Sequence, residues 1–474
     1  MAAPAAQQRD LLRRILLANR DCAFAARHDF ARLRRYEDFR SAVPVAPYEA
    51  FAPWIQRMAA GEPGLLTAAP VVAFEVTGGT ATGSKLIPYT QASLDAFRLA
   101  ILPWLEALAR RAPGVRRGTV YASISPATRP PRRTVGGIPI GLQSDAAYLG
   151  AELADDFMGL LAVPPELGRI ADVSQWRLET LAALVARRDL AFVSVWSPTF
   201  FLDLVDAIEP MADAVAARTT AEGRERLRRA LRGGVIDTAA LWPELACLSC
   251  WTDGASSPFA RRLAALFPRS LIDPKGLLAT EAPITIGLDD GAGAVPALAS
   301  SFVEFVDEAG TPRLCDEVEP GGRYRVIITT WGGLYRYDIG DLVRCVGREG
   351  EVPRLRFEGR AGVTSDLVGE KLDDGFVAAA LRVVGQPAML VPRREPHPHY
   401  ELWLETADEP ARMAEAVDRA LEANPQYAYA RRIGQLGAVR GRHAPDFLQK
   451  FIADRVAAGA RLGDTKAVAL LVGG

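Results

Sequence analysis

Phe74–Thr90, FEVTGGTATGSKLIPYT, constrains this chain more than any other stretch. A β-prone run, Val71–Val76, enters a loop of Gly, Thr, Ala and Ser; Lys85 closes the loop, and Leu86–Tyr89 leaves it extended. Small residues let a phosphate chain come close to the backbone, and glycine adopts the unusual angles this requires. Threonine hydroxyls and backbone N–H groups can bond phosphate oxygens, and the lysine adds a point charge. The nearest simple motif is the P-loop, G-x-x-x-x-G-K-[ST]. Gly78 and Gly83 have its glycine spacing, but the pair that follows, Ser84-Lys85, is reversed. A P-loop must also open a helix. Here Pro88 follows the lysine and pushes Ile87 toward extended geometry. The pattern predicts a β-hairpin tip, with the next helix capped by Thr90 or Ser93. On these residues alone, an ordinary Gly/Thr turn is an equal reading.

A chain of 474 residues predicts two or more domains. A net charge of −1 leaves no basic field for nucleic acid. No apolar run approaches the roughly 18–20 residues of a membrane span. The N-terminus carries charges through its apolar part and reads as an amphipathic helix from Gln7 to about His28, not as a signal peptide. Five cysteines in so long a chain make no disulfide framework, which fits a reducing cytoplasm. Lysine occurs only at 85, 275, 371, 450 and 466, among 56 basic residues. Where arginine supplies nearly all the positive charge, a retained lysine marks a place for a compact ammonium. That singles out Lys85, Lys371 and Lys466.

Along the chain, residues 1–60 read as helical with a connection at Pro44–Trp54, and a helix is expected over Thr90–Arg111. Strands are expected at Thr119–Ser125, Ala191–Val195, Leu245–Trp251, Phe302–Val306, Arg323–Thr330 and Leu334–Val346. Between them lie a helix capped by Ser144 or Asp145, and helices at Val173–Arg187, after Ser197 or Thr199, and at Thr219–Arg232. This alternation predicts an α/β fold with open sheets. After Arg360 two strands, Ala388–Val391 and Tyr400–Glu405, and two helices, Glu409–Glu422 and Asp446–Ala458, read as a separate small α+β domain. The expected division is therefore 1–359 and 360–474.

Cys247 and Cys250 form a C-x-x-C, but no second cysteine or histidine pair accompanies them, so they read as small apolar strand residues. His397-Pro-His399 reads as a solvated loop. No G-x-S-x-G or H-E-x-x-H motif points to a hydrolase.

FEVTGGTATGSKLIPYT, SCWTDG, FVEFV, TTWGGLYRYDIGD, VGEKL and GDTK occur in an order that resembles the Gretchen Hagen 3 family of acyl acid amido synthetases. That family belongs to the adenylate-forming superfamily, and the resemblance runs over nearly the whole chain. It implies an adenylate-forming fold: a large N-terminal domain with open mixed sheets and helices, and a small mobile α+β C-terminal lid. It implies ATP- and Mg2+-dependent activation of a carboxylic acid as an acyl-adenylate. Transfer to an amine, usually that of an amino acid, then gives an amide. Acyl-CoA ligation and a catalytically decayed nucleotide-binding regulator are the alternatives. Small-molecule substrates are the implied partners, with no nucleic acid and no membrane; the oligomeric state is left open, with a monomer compatible.

The resemblance also implies roles for single residues. Thr77, Gly79, Thr80, Thr82, Gly83 and Lys85 match the phosphate loop. Glu281, after Thr280, matches the Mg2+-binding acid, since magnesium takes a carboxylate beside phosphate oxygens. Asp341 matches the acid that accepts the ribose hydroxyls, with Asp338 as the competing choice. Arg360 matches the nucleotide-binding arginine before the hinge. Lys466 matches the C-terminal lysine that stabilises the adenylation transition state. Leu277 stands where the family often has an aromatic residue, so adenine stacking passes to Trp331 or elsewhere. Lys371 is expected to be structural or exposed. Ser123, Trp251 and Phe302 are pocket candidates by position near the motifs.

Overall fold

Thr90 hands the hairpin over to the first long helix. Its hydroxyl accepts the Ser93 N–H at 3.2 Å and caps the helix Gln91–Arg111. The computed structural model describes residues 3–77, 85–123, 125, 132–142, 151–289, 293–362, 364–406, 408–457 and 462–472. Ser144 and Asp145, expected as a helix cap, lie outside them.

The chain folds as two compact units interleaved in sequence. The first takes Met1–Pro113, Pro130–Leu160 and Lys275–Phe357, and the second takes Gly114–Arg129, Leu161–Pro274 and Glu358–Gly474. The crossing at Phe357–Glu358 lies beside the expected boundary near residue 360. The other crossings fall within residues 1–359. They follow from a parallel sheet, whose strands cannot be joined by tight turns and need long crossovers.

The first unit opens with helices. The expected helix from Gln7 to His28 ends instead at Ala18, because the Asn19 amide turns back onto the Ile15 carbonyl at 3.1 Å and satisfies a terminal acceptor. Cys22 then accepts the Ala25 N–H and starts the short helix Ala23–Arg27. The expected connection Pro44–Trp54 is partly helical as well: Tyr48–Ala59 forms a helix that carries Pro53. A five-stranded sheet follows the order Pro312–Arg313, Phe302–Val306, Arg323–Thr329, Tyr337–Glu349, Val352–Arg360. The expected strand from Leu334 begins at Tyr337, because Arg336 takes a left-handed φ of 48° and breaks the extended run.

A buried ion pair fixes that break. Arg336 donates from Nε and Nη2 to the Glu304 carboxylate, each at 2.9 Å, and from Nη1 to the carbonyls of Arg40 and Val43. The Tyr36 hydroxyl donates to the same carboxylate at 2.7 Å. Burial, with the Glu304 charge beside it, pushes the Tyr36 phenol far up. Tyr335, fully buried, stacks on Phe24 at 4.8 Å and donates its hydroxyl to the Leu66 carbonyl at 2.7 Å.

The second unit is built on an all-parallel sheet in the order Thr119–Ala122, Leu190–Ser194, Cys247–Cys250, Leu271–Pro274. Helices Val173–Ala186, Pro198–Asp206 and Ser257–Leu266 bury Trp176, Phe200, Phe201 and Leu263 in its core. A mixed sheet of Ala388–Arg393, His399–Leu404 and Arg440–His443 carries a further core with helix Pro410–Leu421. His399 is buried in a strand rather than solvated, its Nδ1 at 2.8 Å from the His397 carbonyl. Cys247 and Cys250 are buried strand residues, and none of the five cysteines is in a disulfide. Among the described residues, no helix is long and apolar enough to cross a membrane.

Replacing Glu304 by Gln leaves a buried guanidinium without its counter-charge. Urea unfolding is expected to show a loss of about 3 kcal/mol, and a loss under about 1 kcal/mol would show that the pair does not hold the unit together.

Candidate active site

The hairpin forms as the sequence predicts. Ala73–Thr77 pairs antiparallel with Lys85–Tyr89, placing Thr77 opposite Lys85. The tip, with Gly79, Thr80, Thr82 and Gly83, lies outside the described residues. Tyr48 clamps the base of the second strand. Its hydroxyl donates to the Leu86 carbonyl at 3.1 Å and accepts the Leu86 N–H at 3.0 Å. The Lys85 ammonium lies 5.2 Å from the centre of the Tyr48 ring, within cation–π range.

Thr280 and Glu281 sit at the tip of a tight turn. Gly276, at a φ of 75°, brings the backbone so close to Thr285 that a Cβ there would meet the Thr285 carbonyl oxygen at 2.5 Å. The Leu277 N–H donates to the Thr285 hydroxyl at 2.8 Å, and the Ala279 N–H reaches the Ala282 carbonyl at 3.1 Å. Two tyrosines hold this tip. Tyr89, at the end of the hairpin, donates a short hydrogen bond to the Thr280 carbonyl, and Tyr337 donates to Glu281 Oε1 at 3.3 Å. Burial pushes the Tyr48 phenol up, the Leu86 N–H offsets part of that, and the Glu281 charge raises it further. The first unit thus brings Thr77, Lys85, Thr280 and Glu281 to one neighbourhood. Tyr48, Tyr89 and Tyr337 line it, and sequence reasoning missed all three. Their period-2 strand positions beside the motifs were the only signal for Tyr89 and Tyr337; Tyr48 offered none.

Trp331 stands half-buried against the core, its carbonyl accepting the Thr90 hydroxyl at 3.4 Å. Asp338 and Asp341 are separated by a bulge. Arg325 faces Leu342 and Ile327 faces Asp338, so Ile339–Asp341 stand opposite Val326 alone. Such a bulge re-aims the side chains around it. Asp338 is engaged in building it: it accepts the Gly340 N–H at 2.9 Å and pairs with Arg325 at 3.4 Å. Asp341 is buried. Phe302 is no pocket wall, because it is fully buried against Tyr36 and Phe39.

Arg360 and Lys466 belong to the second unit. Arg360 ends the strand Val352–Arg360 and is half-buried. Lys466 is exposed, with its ammonium 5.0 Å from the centre of the Trp251 ring. Lys371 is exposed beside Glu370, whose buried carboxylate accepts the Leu367 and Val368 N–H groups at 2.8 Å. Among the described residues no three His, Cys, Asp or Glu side chains converge as a metal cage. A magnesium ion carried mainly on phosphate oxygens needs no such cage, only one or two carboxylates. The Glu281 carboxylate, at the tip of the turn, is of that kind.

The family model for the GH3 family N-terminal domain matches residues 1–238, and that for the GH3 family central domain matches residues 294–360. The indole-3-acetic acid-amido synthetase GH3.2 of Arabidopsis thaliana is 22% identical over 439 residues, covering 80% of this chain and 78% of that protein. Among solved structures, the AtGH3.15 acyl acid amido synthetase in complex with 2,4-DB matches with a TM-score of 0.87 at 17% identity. That match covers 99% of this chain and 92% of the other. A 2-hydroxyisobutyryl-CoA ligase, in the postadenylation state with R3-HIB-AMP, matches with a TM-score of 0.63 at 15% identity, covering 98% of this chain and 89% of the other. The fold is thus that of acyl acid amido synthetases and adenylate-forming ligases.

Gly276→Ala places a methyl group against the Thr285 carbonyl in a backbone region that disfavours side chains. A stability loss of about 1–3 kcal/mol is expected in urea unfolding. A neutral result would show that the turn carrying Glu281 is not held as described.

Proposed function

The chain belongs to the GH3 family, and on that premise we propose that it is an ATP-dependent acyl acid amido synthetase. The observation that carries the reading is the convergence of Lys85 and Glu281 on the tyrosine-lined neighbourhood of the first unit. A carboxylate is a poor electrophile until one of its oxygens becomes part of a good leaving group. Attack by that oxygen on the α-phosphorus forms a new P–O bond as the bond to the β-phosphate oxygen breaks. Pyrophosphate leaves with the electron pair. The amine nitrogen, proposed to be that of an amino acid, then attacks the acyl carbon. The bond to AMP breaks, AMP departs, and the amine's proton passes to solvent.

Positive charge must meet the negative charge that builds in the first step. Lys85 does so from the base of the hairpin, and Thr77 adds a hydroxyl donor beside it. The tip residues Gly79, Thr80, Thr82 and Gly83 are assigned to the phosphates by family resemblance. Glu281, steadied by Tyr337, would hold Mg2+, which would supply charge neutralisation on the phosphate oxygens. Asp341 is assigned to the ribose hydroxyls, and the engagement of Asp338 in the bulge supports that choice. Trp331 is assigned to adenine, Arg360 to the nucleotide and Lys466 to the adenylation transition state. Residues 360–474 act as the lid, and the cytoplasm is the proposed setting.

Pyrophosphate release measured over a panel of carboxylic acids with hydroxylamine as acceptor tests the reading. Release that depends on the acid is expected, with hydroxamate as product. ATP binding without acid-dependent release would sink it. Amide formation with amino acids, and no thioester with coenzyme A, is expected when the acceptors are compared by mass spectrometry.

For Lys466→Ala, the rate of adenylation is expected to fall about 100-fold, while the Kd for ATP stays within about twofold. Equal losses in both would remove the transition-state role.

A further inference from the structure

The four parallel strands of the second unit end at Ala122, Ser194, Cys250 and Pro274. In open sheets of this kind, ligands meet the carboxyl ends of the strands. Just beyond those ends lie Ser123, Ser125, Trp196 and Trp251, the two indoles 6.1 Å apart. The last segment of the chain crosses this edge. The Gly463 N–H donates to Ser125 Oγ at 3.1 Å, and a Cβ at 463 would meet the Ser123 and Ser125 hydroxyls at 2.6 Å each. A side chain at 463 would push these hydroxyls aside. Three residues on, the Lys466 ammonium lies over Trp251.

Both ends of the segment are anchored. Leu462 is buried in the core under the parallel sheet. Beyond Lys466, the Ala469 carbonyl accepts the Leu390 N–H at 2.8 Å, and the Leu390 carbonyl accepts the Leu471 N–H at 2.9 Å. The Asp374 carboxylate accepts the N–H groups of Ala469 and Leu470 at 3.1 Å each. Lys466 is therefore carried on a short strap, and the Trp251 ring lies beneath its ammonium.

We propose that Trp251 and Gly463 are positioning residues that hold Lys466 at the ligand-facing edge of the parallel sheet. This rests on the catalytic role proposed for Lys466. Gly463 seats the strap on Ser125, and the Trp251 ring helps hold the ammonium over the ends of the strands. An exposed lysine on a flexible four-carbon stem otherwise spends its time in many rotamers.

The test uses the full chain. Trp251→Leu is expected to slow adenylation about two- to fivefold, the worth of one exposed cation–π contact, with the KM for ATP little changed. Trp251→Phe keeps a ring face and is expected to recover most of the rate. In a Lys466→Ala background, Trp251→Leu is expected to cost nothing further. The proposal is overturned if the loss persists without Lys466, if Phe does not rescue, or if KM moves as much as kcat. A second arm needs no activity. An endoproteinase that cuts after lysine has only five sites in this chain, and cleavage after Lys466 releases Ala467–Gly474. Trp251→Leu and Gly463→Val are each expected to speed that cut about fivefold. An unchanged rate in both variants overturns the docking. If the unmutated chain releases no pyrophosphate, the ligase reading falls alone and the cleavage arm decides the docking by itself.

Discussion

The first unit depends on one buried ion pair. Arg336 and Glu304 are separated by 32 residues and both are almost fully buried. Desolvating either charge alone would cost several kcal/mol. The pair is tolerable because further hydrogen bonds surround it: the Tyr36 hydroxyl on the acid, and the Arg40 and Val43 carbonyls on the guanidinium. The network ties the N-terminal helices to two strands of the five-stranded sheet. It also pays a local conformational cost by holding Arg336 in the left-handed region. That turn sends Tyr337 into the following strand with its hydroxyl on Glu281 Oε1, so the pair bears on the placement of a residue that contacts the acid of the proposed site.

A second consequence is that the site's acid is held by neutral donors. Tyr89 and Tyr337 bind the backbone and carboxylate of the Thr280–Glu281 turn, and Tyr48 binds the strand that carries Lys85. Phenols can fix these positions without adding charge of their own, because burial keeps the Tyr48 hydroxyl protonated. The carboxylate and the ammonium then remain the charged groups with which a nucleotide and its metal would interact.

The parts of this arrangement legible in the sequence are the local ones. Pro88 and the reversed Ser84-Lys85 pair excluded a P-loop and required a hairpin, because they act within a few residues. Thr90 capped its helix for the same reason. Asn19 was legible in principle, but the continuous apolar pattern through Leu17 outweighed one side-chain bond to Ile15. The tyrosines were not legible, since their partners lie 38, 191 and 56 residues away. The interleaving of the two units escaped for a related reason. A parallel sheet gathers strands from Thr119 to Pro274, while the flanking segments on both sides pack together elsewhere, and no local composition marks those crossings.

The scarcity of lysine acquires a physical meaning from the aromatic rings. Lys85, Lys275 and Lys466 hold their ammonium groups 5.2, 4.7 and 5.0 Å from the ring centres of Tyr48, Trp104 and Trp251. Arginine would also be attracted to these faces, but it stacks flat, and its five donors are then fixed in a plane parallel to the ring. An ammonium has three donors that rotate about a single point. Resting on a ring, it keeps a defined position while its N–H bonds can follow oxygens that shift. A phosphate chain whose bonds rearrange during adenylate formation presents such oxygens, so at 85 and 466 the choice of lysine follows from the reaction proposed. At 275 the ammonium is buried over Trp104, where a compact head on an apolar stem fits with less displaced volume than a guanidinium. The same ring contact would thus serve the proposed reaction at two positions and packing at a third, where the lysine is buried.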